Sequence, residues 1–304
     1  MKLKESVTAP IPVLAAYGLY YLFFISPVVR NTLSGAGDYT LLSGIVLELV
    51  ALFLPAAIYS RAKGIGYSAK MNFAAFRPSR IVFAVCALIC CLCAAVLVAM
   101  GVDALGIAGR YSLVDTYALS LYDAGISPAL RAVAYAAVPA IAEEFLYRGV
   151  LVTEFRCHGL FPAIFFPAVL FALGQFSLVK LPAFFLLGVM MSLVYYVTDS
   201  LPITVLTRMI FNVLVFYFEG AAWSLIQRRS NYVFFMCLCI VLFLTCLMLA
   251  LSEAQRTLYT KGLDARPTPP EGMVESRLPV RFLQTLLSPT FILCVAGALC
   301  VMLL

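Results

Sequence analysis

Residues 132–152 read AVAYAAVPAIAEEFLYRGVLV, an apolar run interrupted by Glu143, Glu144 and Arg148. A helix needs about 20 mainly apolar residues to cross the hydrocarbon core of a bilayer, and this run has that length. Charged side chains are costly inside a membrane, so their presence there indicates a functional site by default. The run therefore predicts a membrane-spanning helix that carries a polar centre.

The composition of the whole chain is typical of a membrane protein. Of the 304 residues, 63% are hydrophobic and 12% are charged, whereas soluble domains average about 45–50% and about 25%. Charges and prolines cluster between apolar stretches of about 18–25 residues, the length of a membrane-spanning helix. We therefore predict an all-α fold, a polytopic transmembrane bundle of about eight to nine spans, with residues 1–304 forming a single membrane domain.

Nine apolar segments are candidate spans, at about 10–29, 39–59, 81–101, 128–153, 160–177, 181–198, 201–219, 231–252 and 286–304. Lysine and arginine favour the connections 60–80 and 253–285, which predicts that these loops and the N-terminus are cytoplasmic. The side of the C-terminus stays open, because it depends on whether 286–304 crosses the membrane. The sequence predicts a multi-pass integral membrane protein whose first partner is the lipid bilayer.

Charge, cysteine and histidine distributions favour neither a cofactor, a metal ion nor a nucleic acid as partner. The net charge of +6 forms no basic stripe of the kind that binds nucleic acid. Nine of the ten cysteines lie in apolar runs, where we interpret them as small apolar fillers. The only histidine, His158, lies in a short inner connection and we expect it to be exposed. The aromatic pairs at 184–185 and 195–196 are predicted to contact lipid or the membrane interface.

Spans four, five and seven carry polar residues at overlapping depths. At 1.5 Å per residue, Glu144, Gln175, Arg208 and Asn212 lie roughly 10–21 Å from the inner ends of their spans. If these helices are neighbours, we expect one cavity in the cytoplasmic half of the bundle. Glu48 is the lone charge of span two, and it either lines that cavity or is protonated elsewhere.

Helical periodicity separates the roles of the two adjacent glutamates. Glu144 and Arg148 are four residues apart, so they share a helix face and can form an ion pair. Glu143 points about 100° away and can face a cavity. Arg208 and Asn212 are also four residues apart, so both side chains can reach one point.

Four short motifs of this region resemble those of a known family. Residues 143–149, EEFLYRG, resemble the EExxxRG signature of the CAAX protease and bacteriocin-processing family of intramembrane endopeptidases. Residues 171–175, FALGQ, fall where the family shows FxxxH, and 198–202, TDSLP, resemble the turn before its last motif. Residues 208–212, RMIFN, fall where the family shows HxxxN. The resemblance covers about 128–216.

The resemblance implies an endopeptidase that cleaves prenylated proteins or small peptides at the cytoplasmic side of the membrane. It implies that Glu143 and the first motif histidine activate a water molecule, and that the second histidine and Asn212 hold the oxyanion. In this chain Gln175 and Arg208 stand at the two histidine positions. The other charges of the first motif, Glu144 and Arg148, would be a structural pair.

The two replacements remove the bases that the family uses. A neutral glutamine cannot accept a proton, and arginine is always protonated. General-base catalysis would then depend on Glu143 alone, and losing a general base typically costs about 10²–10⁴-fold in rate. Arg208 with Asn212 could still stabilise an oxyanion, because that role needs hydrogen-bond donors rather than a base.

Three functions therefore stay open. The chain is a weak endopeptidase that uses Glu143, a non-catalytic relative that binds a membrane-associated peptide or protein, or a transporter. The absence of an inverted repeat in the sequence disfavours the transporter, and the loss of both histidines favours the non-catalytic form. A fourth interpretation is purely structural, in which Glu143, Glu144, Arg148 and Arg208 form a charge network that fixes helix packing.

Overall fold

The computed structural model of the chain describes residues 8–26, 38–64, 79–106, 111–114, 126–226, 229–264 and 278–303. These residues contain ten helices and no β-strand. The helices are α1 (Ile11–Ile25), α2 (38–62), α3 (Ser79–Ala104), α4 (128–155), α5 (Leu160–Leu173), α6 (Leu181–Thr198), α7 (Leu201–Ile226), α8 (Arg229–Asp264), α9 (Leu278–Leu286) and α10 (Pro289–Met302).

The helices confirm the predicted membrane bundle. Among the described residues, α2, α3, α6, α7 and α8 are long and apolar enough to cross a membrane, by length and composition. Shorter apolar helices occur in α1, α5 and α10. Large apolar side chains such as Val82, Phe161 and Met248 are exposed on the outside of the bundle, which lipid would solvate. The cytoplasmic position of the N-terminus stays a prediction.

Small residues let the central helices approach closely. Gly188 of α6 packs against Ala168 of α5, and a Cβ atom added to Gly188 would lie 2.9 Å from the Ala168 Cα. Helices in lipid associate through such close packing, because burial from lipid supplies no hydrophobic driving force. This contact fixes the α5–α6 hairpin, which forms one wall of the site.

Helix α4 begins and continues as its sequence dictates. The backbone N–H of Leu130 donates to Ser127 Oγ at 3.4 Å, so Ser127 caps the helix as a serine before a proline predicts. The hydrogen-bonding register widens to a π-helix over Val133–Ala137, just before Pro139, and again over Phe145–Val152. Such π segments are frequent at functional sites. The second segment starts directly after the paired glutamates.

Helix α5 is short, and this changes the predicted position of Gln175. The helix has 14 residues and ends at Leu173, so it is about 21 Å long, whereas α7 has 26 residues and is about 39 Å long. Gln175 therefore lies in the turn after α5, and not inside a helix extending over 160–177 as predicted. Phe176, the next residue, has a φ angle of +48°, which continues no helix.

The long polar stretch 253–285 differs in part from the predicted loop. Residues up to Asp264 continue α8, and α9 starts at Leu278, while 265–277 lie outside the described residues. In the predicted loop 60–80, residues 65–78 also lie outside them.

Two expectations about exposure are wrong. His158 is 6% exposed, and its ring lies against Phe155 with the two ring centroids 6.2 Å apart. In the two aromatic pairs, Phe184 and Tyr195 are buried inside the bundle rather than facing lipid, whereas Phe185 and Tyr196 are half-buried. Packing between helices buries the side chains of His158, Phe184 and Tyr195. The local sequence did not predict their burial, because none of them lies in a strongly amphipathic pattern.

Candidate functional site

Four of the six predicted site residues line one cavity of about 90 Å³, whereas Glu144 and Arg148 do not. Glu143 of α4, Gln175 of the α5–α6 turn, and Arg208 and Asn212 of α7 all line it. The predicted convergence of these elements is therefore confirmed. Glu48 of α2 lines the same cavity, as the first of the two alternatives for this residue predicts. The remaining walls are Leu113, Tyr135, Pro139, Phe184, Phe211 and Val215.

Both carboxylate oxygens of Glu143 are engaged by neighbouring side chains. Gln175 Nε2 donates to Oε1 at 3.0 Å. Arg208 donates to Oε2 twice, from Nε at 3.0 Å and from Nη2 at 2.8 Å. Glu143 is 7% exposed and Arg208 is 3% exposed, and a buried ion pair of this kind depends on such additional hydrogen bonds to offset desolvation. The two residues at the histidine positions thus hold Glu143 from the α5–α6 turn and from α7.

The neighbouring pair Glu144–Arg148 is sealed completely. Arg148 Nη1 lies 3.0 Å from Glu144 Oε1, and both side chains are 0% exposed. The geometry is that of an electrostatic contact and not of a well-directed hydrogen bond. Arg148 Nη2 also donates to the Gly188 carbonyl at 3.4 Å, which ties α4 to α6. The predicted i, i+4 pair is confirmed, while its role and those of the other site residues stay predictions.

A single aromatic ring links the two ion pairs. The Arg148 guanidinium lies 4.5 Å from the centre of the Phe171 ring, and that of Arg208 lies 5.1 Å from it. Phe184 and Phe211 complete an aromatic surround of Arg208, at 5.8 and 5.6 Å. A cation over an aromatic face gains about 0.5–2 kcal/mol, more when it is desolvated. The aromatic residues therefore stabilise arginines that hydrocarbon alone would not tolerate.

Tyrosines of α1 and α4 support the turn that carries Gln175, and no sequence pattern pointed to them. The Tyr17 hydroxyl donates to the Leu170 carbonyl near the end of α5. The Phe176 ring packs edge-on against Tyr17 and Tyr20, with centroids 5.4 and 5.3 Å apart. A Cβ atom at Gly174 would meet the Tyr147 hydroxyl at 2.5 Å, so only glycine fits there without a shift. These contacts hold the α5–α6 turn against α1 and α4.

The position of the cavity in the cytoplasmic half of the bundle stays a prediction, as does the orientation of the chain in the membrane. The cavity walls include Gln175, beyond the end of α5, and Leu113, in the connection between α3 and α4. The charge pattern of the sequence predicts that both lie toward the non-cytoplasmic side.

Metal ligands do not converge in the described part of the chain, where no three His, Cys, Asp or Glu side chains are placed to hold a metal ion. The charged and amide groups that line the cavity are the carboxylates of Glu48 and Glu143, the amides of Gln175 and Asn212, and the Arg208 guanidinium.

The fold and the site define an integral membrane protein with a buried polar cavity formed by α2, α4, α7 and the α5–α6 turn. Residues 125–214 match the family model described as type II CAAX prenyl endopeptidase Rce1-like. This segment is less than a third of the chain and coincides with the predicted resemblance over 128–216, which is thereby confirmed. No curated protein and no solved structure matches the chain. The protein is therefore a membrane protein with a CAAX-protease-like segment.

Proposed function

We propose that this CAAX-protease-like membrane protein binds a membrane-associated peptide in its cavity without cleaving it efficiently. The observation that supports the proposal is the state of Glu143, whose two oxygens accept hydrogen bonds from Gln175 and Arg208. A general base must be within hydrogen-bond reach of the proton that it abstracts. Both carboxylate oxygens of Glu143 instead accept hydrogen bonds from Gln175 and Arg208, and neither of these side chains can accept a proton.

The cavity still offers donors to a peptide. Arg208 Nη1 is buried and has no hydrogen-bond partner among the described residues, and Asn212 lines the same space. A peptide carbonyl would satisfy such donors, and a buried polar group without a partner costs about 1–3 kcal/mol. Small-molecule and peptide sites commonly combine an apolar lining with a few polar groups of this kind.

A weak endopeptidase is the second candidate. Asn212 and Arg208 occupy the positions that the resemblance assigns to the oxyanion, and both line the cavity with Glu143. Oxyanion stabilisation alone retains part of a catalytic effect even where the base is impaired. The transporter gains no support, because Glu143, Glu144, Arg148 and Arg208 form two ion pairs.

The test compares binding with cleavage in reconstituted protein. Prenylated and unprenylated membrane-anchored peptides would be offered to the unaltered chain, to Glu143→Ala and to the double variant Gln175→His with Arg208→His. Glu154→Gln serves as the matched control, because Glu154 lies on the same helix but pairs with Lys63 away from the cavity. We expect peptide binding without measurable cleavage in the unaltered chain, and a gain of cleavage in the double variant.

Two results would contradict the proposal. Cleavage by the unaltered chain that disappears in Glu143→Ala would establish a working glutamate-dependent peptidase, the second candidate. Failure of every peptide to bind, with no cleavage in any variant, would favour the structural interpretation of the charge network. Equal behaviour of Glu154→Gln and the unaltered chain confirms that an effect belongs to the cavity.

A further inference from the structure

Glu219 of α7 binds a short segment of the connection between α3 and α4. The backbone N–H of Leu113 donates to Glu219 Oε1 at 2.7 Å, and that of Val114 donates to Oε2 at 3.3 Å. Ser112 Oγ donates to the same Oε2 at 2.8 Å. Hydrogen bonds to a carboxylate are roughly twice as strong as those between neutral groups. One side chain thus anchors residues 111–114, which we name the partition segment.

The partition segment is also held from the opposite side. Lys180 Nζ, in the α5–α6 turn, donates to the Leu113 carbonyl at 3.3 Å. Tyr111, Leu113 and Val114 are 5%, 6% and 8% exposed, so the segment is packed into the bundle. The two elements that hold it, α7 and the α5–α6 turn, are those that carry Arg208 and Gln175.

Glu219 continues the polar face of α7 that forms the site. Arg208, Asn212, Val215 and Glu219 follow one another at intervals of four, three and four residues, which places them on one side of the helix. The first three line the polar cavity. Glu219 lies seven residues beyond Asn212, about 10 Å further along the axis. Because Leu113 of the partition segment also lines the polar cavity, the segment borders that cavity at its end nearer to Glu219.

A second, apolar cavity also borders the partition segment, with Tyr111 and Leu113 among its walls. It measures about 250 Å³ and runs between α3 and α7, with Leu92, Ala99 and Trp223 among its walls. Leu113 and Val215 line both this cavity and the polar one. The two spaces are thus neighbours along α7, and Leu113 borders both of them.

We propose that Glu219 is a positioning residue that holds the partition segment between the polar cavity and the apolar cavity. When the segment is released, the two spaces join into one elongated cleft along α7, which leads from apolar surroundings to Glu143 and Asn212. The hydrogen bonds of Glu219, and not Glu143 or Asn212, then determine whether the site is accessible. Glu219 controls access in this way whether or not a bound peptide is cleaved.

Hydrogen–deuterium exchange of the purified full-length chain tests the anchor directly. Glu219→Gln keeps the size of the side chain but replaces one acceptor oxygen by an N–H₂ group, which faces donors. We expect the amides of residues 111–114 to exchange at least about tenfold faster in this variant. Glu253→Gln is the matched control, because Glu253 lies on α8 and pairs only loosely with Arg256 at 3.8 Å; it should leave that exchange unchanged.

A second measurement reports on the joining of the cavities. Val215→Cys places a thiol on the wall that both cavities share, and its reaction with a small water-soluble thiol reagent is timed with and without Glu219→Gln. The chain without Val215→Cys gives the background from its ten native cysteines. We expect labelling at position 215 to be at least about tenfold faster when Glu219 is replaced.

Unchanged exchange at residues 111–114 together with unchanged labelling in Glu219→Gln would overturn the proposal. If that variant does not give a monodisperse protein, Ser112→Ala and Lys180→Met each remove one hold on the segment. Faster exchange in both supports the proposal, and parental exchange in both overturns it. Neither readout uses peptide binding or cleavage, so failure here is distinguishable from failure of the proposed function.

Discussion

The two adjacent glutamates of α4 have contrasting surroundings. Glu144 is 0% exposed and pairs with Arg148 of its own helix. Glu143 lines the cavity and is held by Gln175 and Arg208 from other parts of the chain. The first pair is intrahelical and sealed, whereas the second joins helices and borders an open space. Two glutamates adjacent in sequence thus differ in their burial and in the parts of the chain that hold them, and substitutions at each pair can measure that difference.

The largest expected effect comes from breaking the sealed pair. Arg148→Met leaves the Glu144 carboxylate buried without its counter-charge, and breaking a buried ion pair in this way costs about 3–5 kcal/mol. The free energy of unfolding in detergent, followed through the fluorescence of Trp223, the only tryptophan, measures the loss. The double variant Glu144→Gln with Arg148→Met should recover much of it, because no buried charge remains. If Arg148→Met has the same free energy of unfolding as the unaltered chain, the expectation is contradicted and Glu144 is not sealed.

The corresponding change at the open pair should cost less. Arg208→Met leaves Glu143 with the Gln175 hydrogen bond and with a cavity of about 90 Å³ beside it, which has room for water. We expect a loss of about 1–3 kcal/mol in the free energy of unfolding. Lys63→Met is the control, since Lys63 is 30% exposed where it pairs with Glu154, and such pairs contribute below about 1 kcal/mol. A loss equal to that of Arg148→Met would mean that both glutamates are equally sealed.

The contrast between the pairs also marks the boundary of what the sequence predicts. The Glu144–Arg148 pair follows from helical periodicity alone, so it was predictable. The overlapping depths of Gln175 and Arg208 were predictable, but their convergence on Glu143 also required that α4, α7 and the α5–α6 turn be neighbours. The position of Gln175 in a turn was not predictable. Gly174, directly after the end of α5, lies against tyrosines of α1 and α4, which are distant in sequence.

Contacts distant in sequence explain the other differences as well. Glu219 lies near the end of a predicted span, where a charged residue is usual, and only its hydrogen bonds to residues 112–114 reveal a further role. Phe184 reads as a lipid contact because its segment is apolar on all sides, yet it packs against Arg208. Periodicity determines which residues share a face of one helix, and it does not determine which helix that face meets.

Packing around the sealed pair predicts a third effect. Gly188→Ala would place a Cβ atom 2.9 Å from the Ala168 Cα, so α5 and α6 must separate, and the Gly188 carbonyl moves away from Arg148. Overpacking of this kind costs about 1–3 kcal/mol. Gly220→Ala on α7 is the matched control, because nothing lies within 4 Å of its added Cβ, and we expect it to be neutral or stabilising by up to about 1 kcal/mol. Equal unfolding free energies for the two variants would show that the α5–α6 contact is loose.

The smallest expected effect is at the hydrogen bond of Gln175. Gln175→Ala removes a single bond to Glu143 Oε1, and a typical intramolecular hydrogen bond contributes about 0.5–1.5 kcal/mol. Because Arg208 keeps its two bonds to Oε2 and the cavity borders Oε1, water can replace the amide. Thr245→Ala is the control, because the exposed Thr245 hydroxyl bonds only to the Val241 and Leu242 carbonyls of its own helix, and it should lie within about 0.5 kcal/mol of the parent. A loss above that of Arg208→Met would reverse the ranking, since Glu143 would then be held mainly from the α5–α6 turn and not from α7.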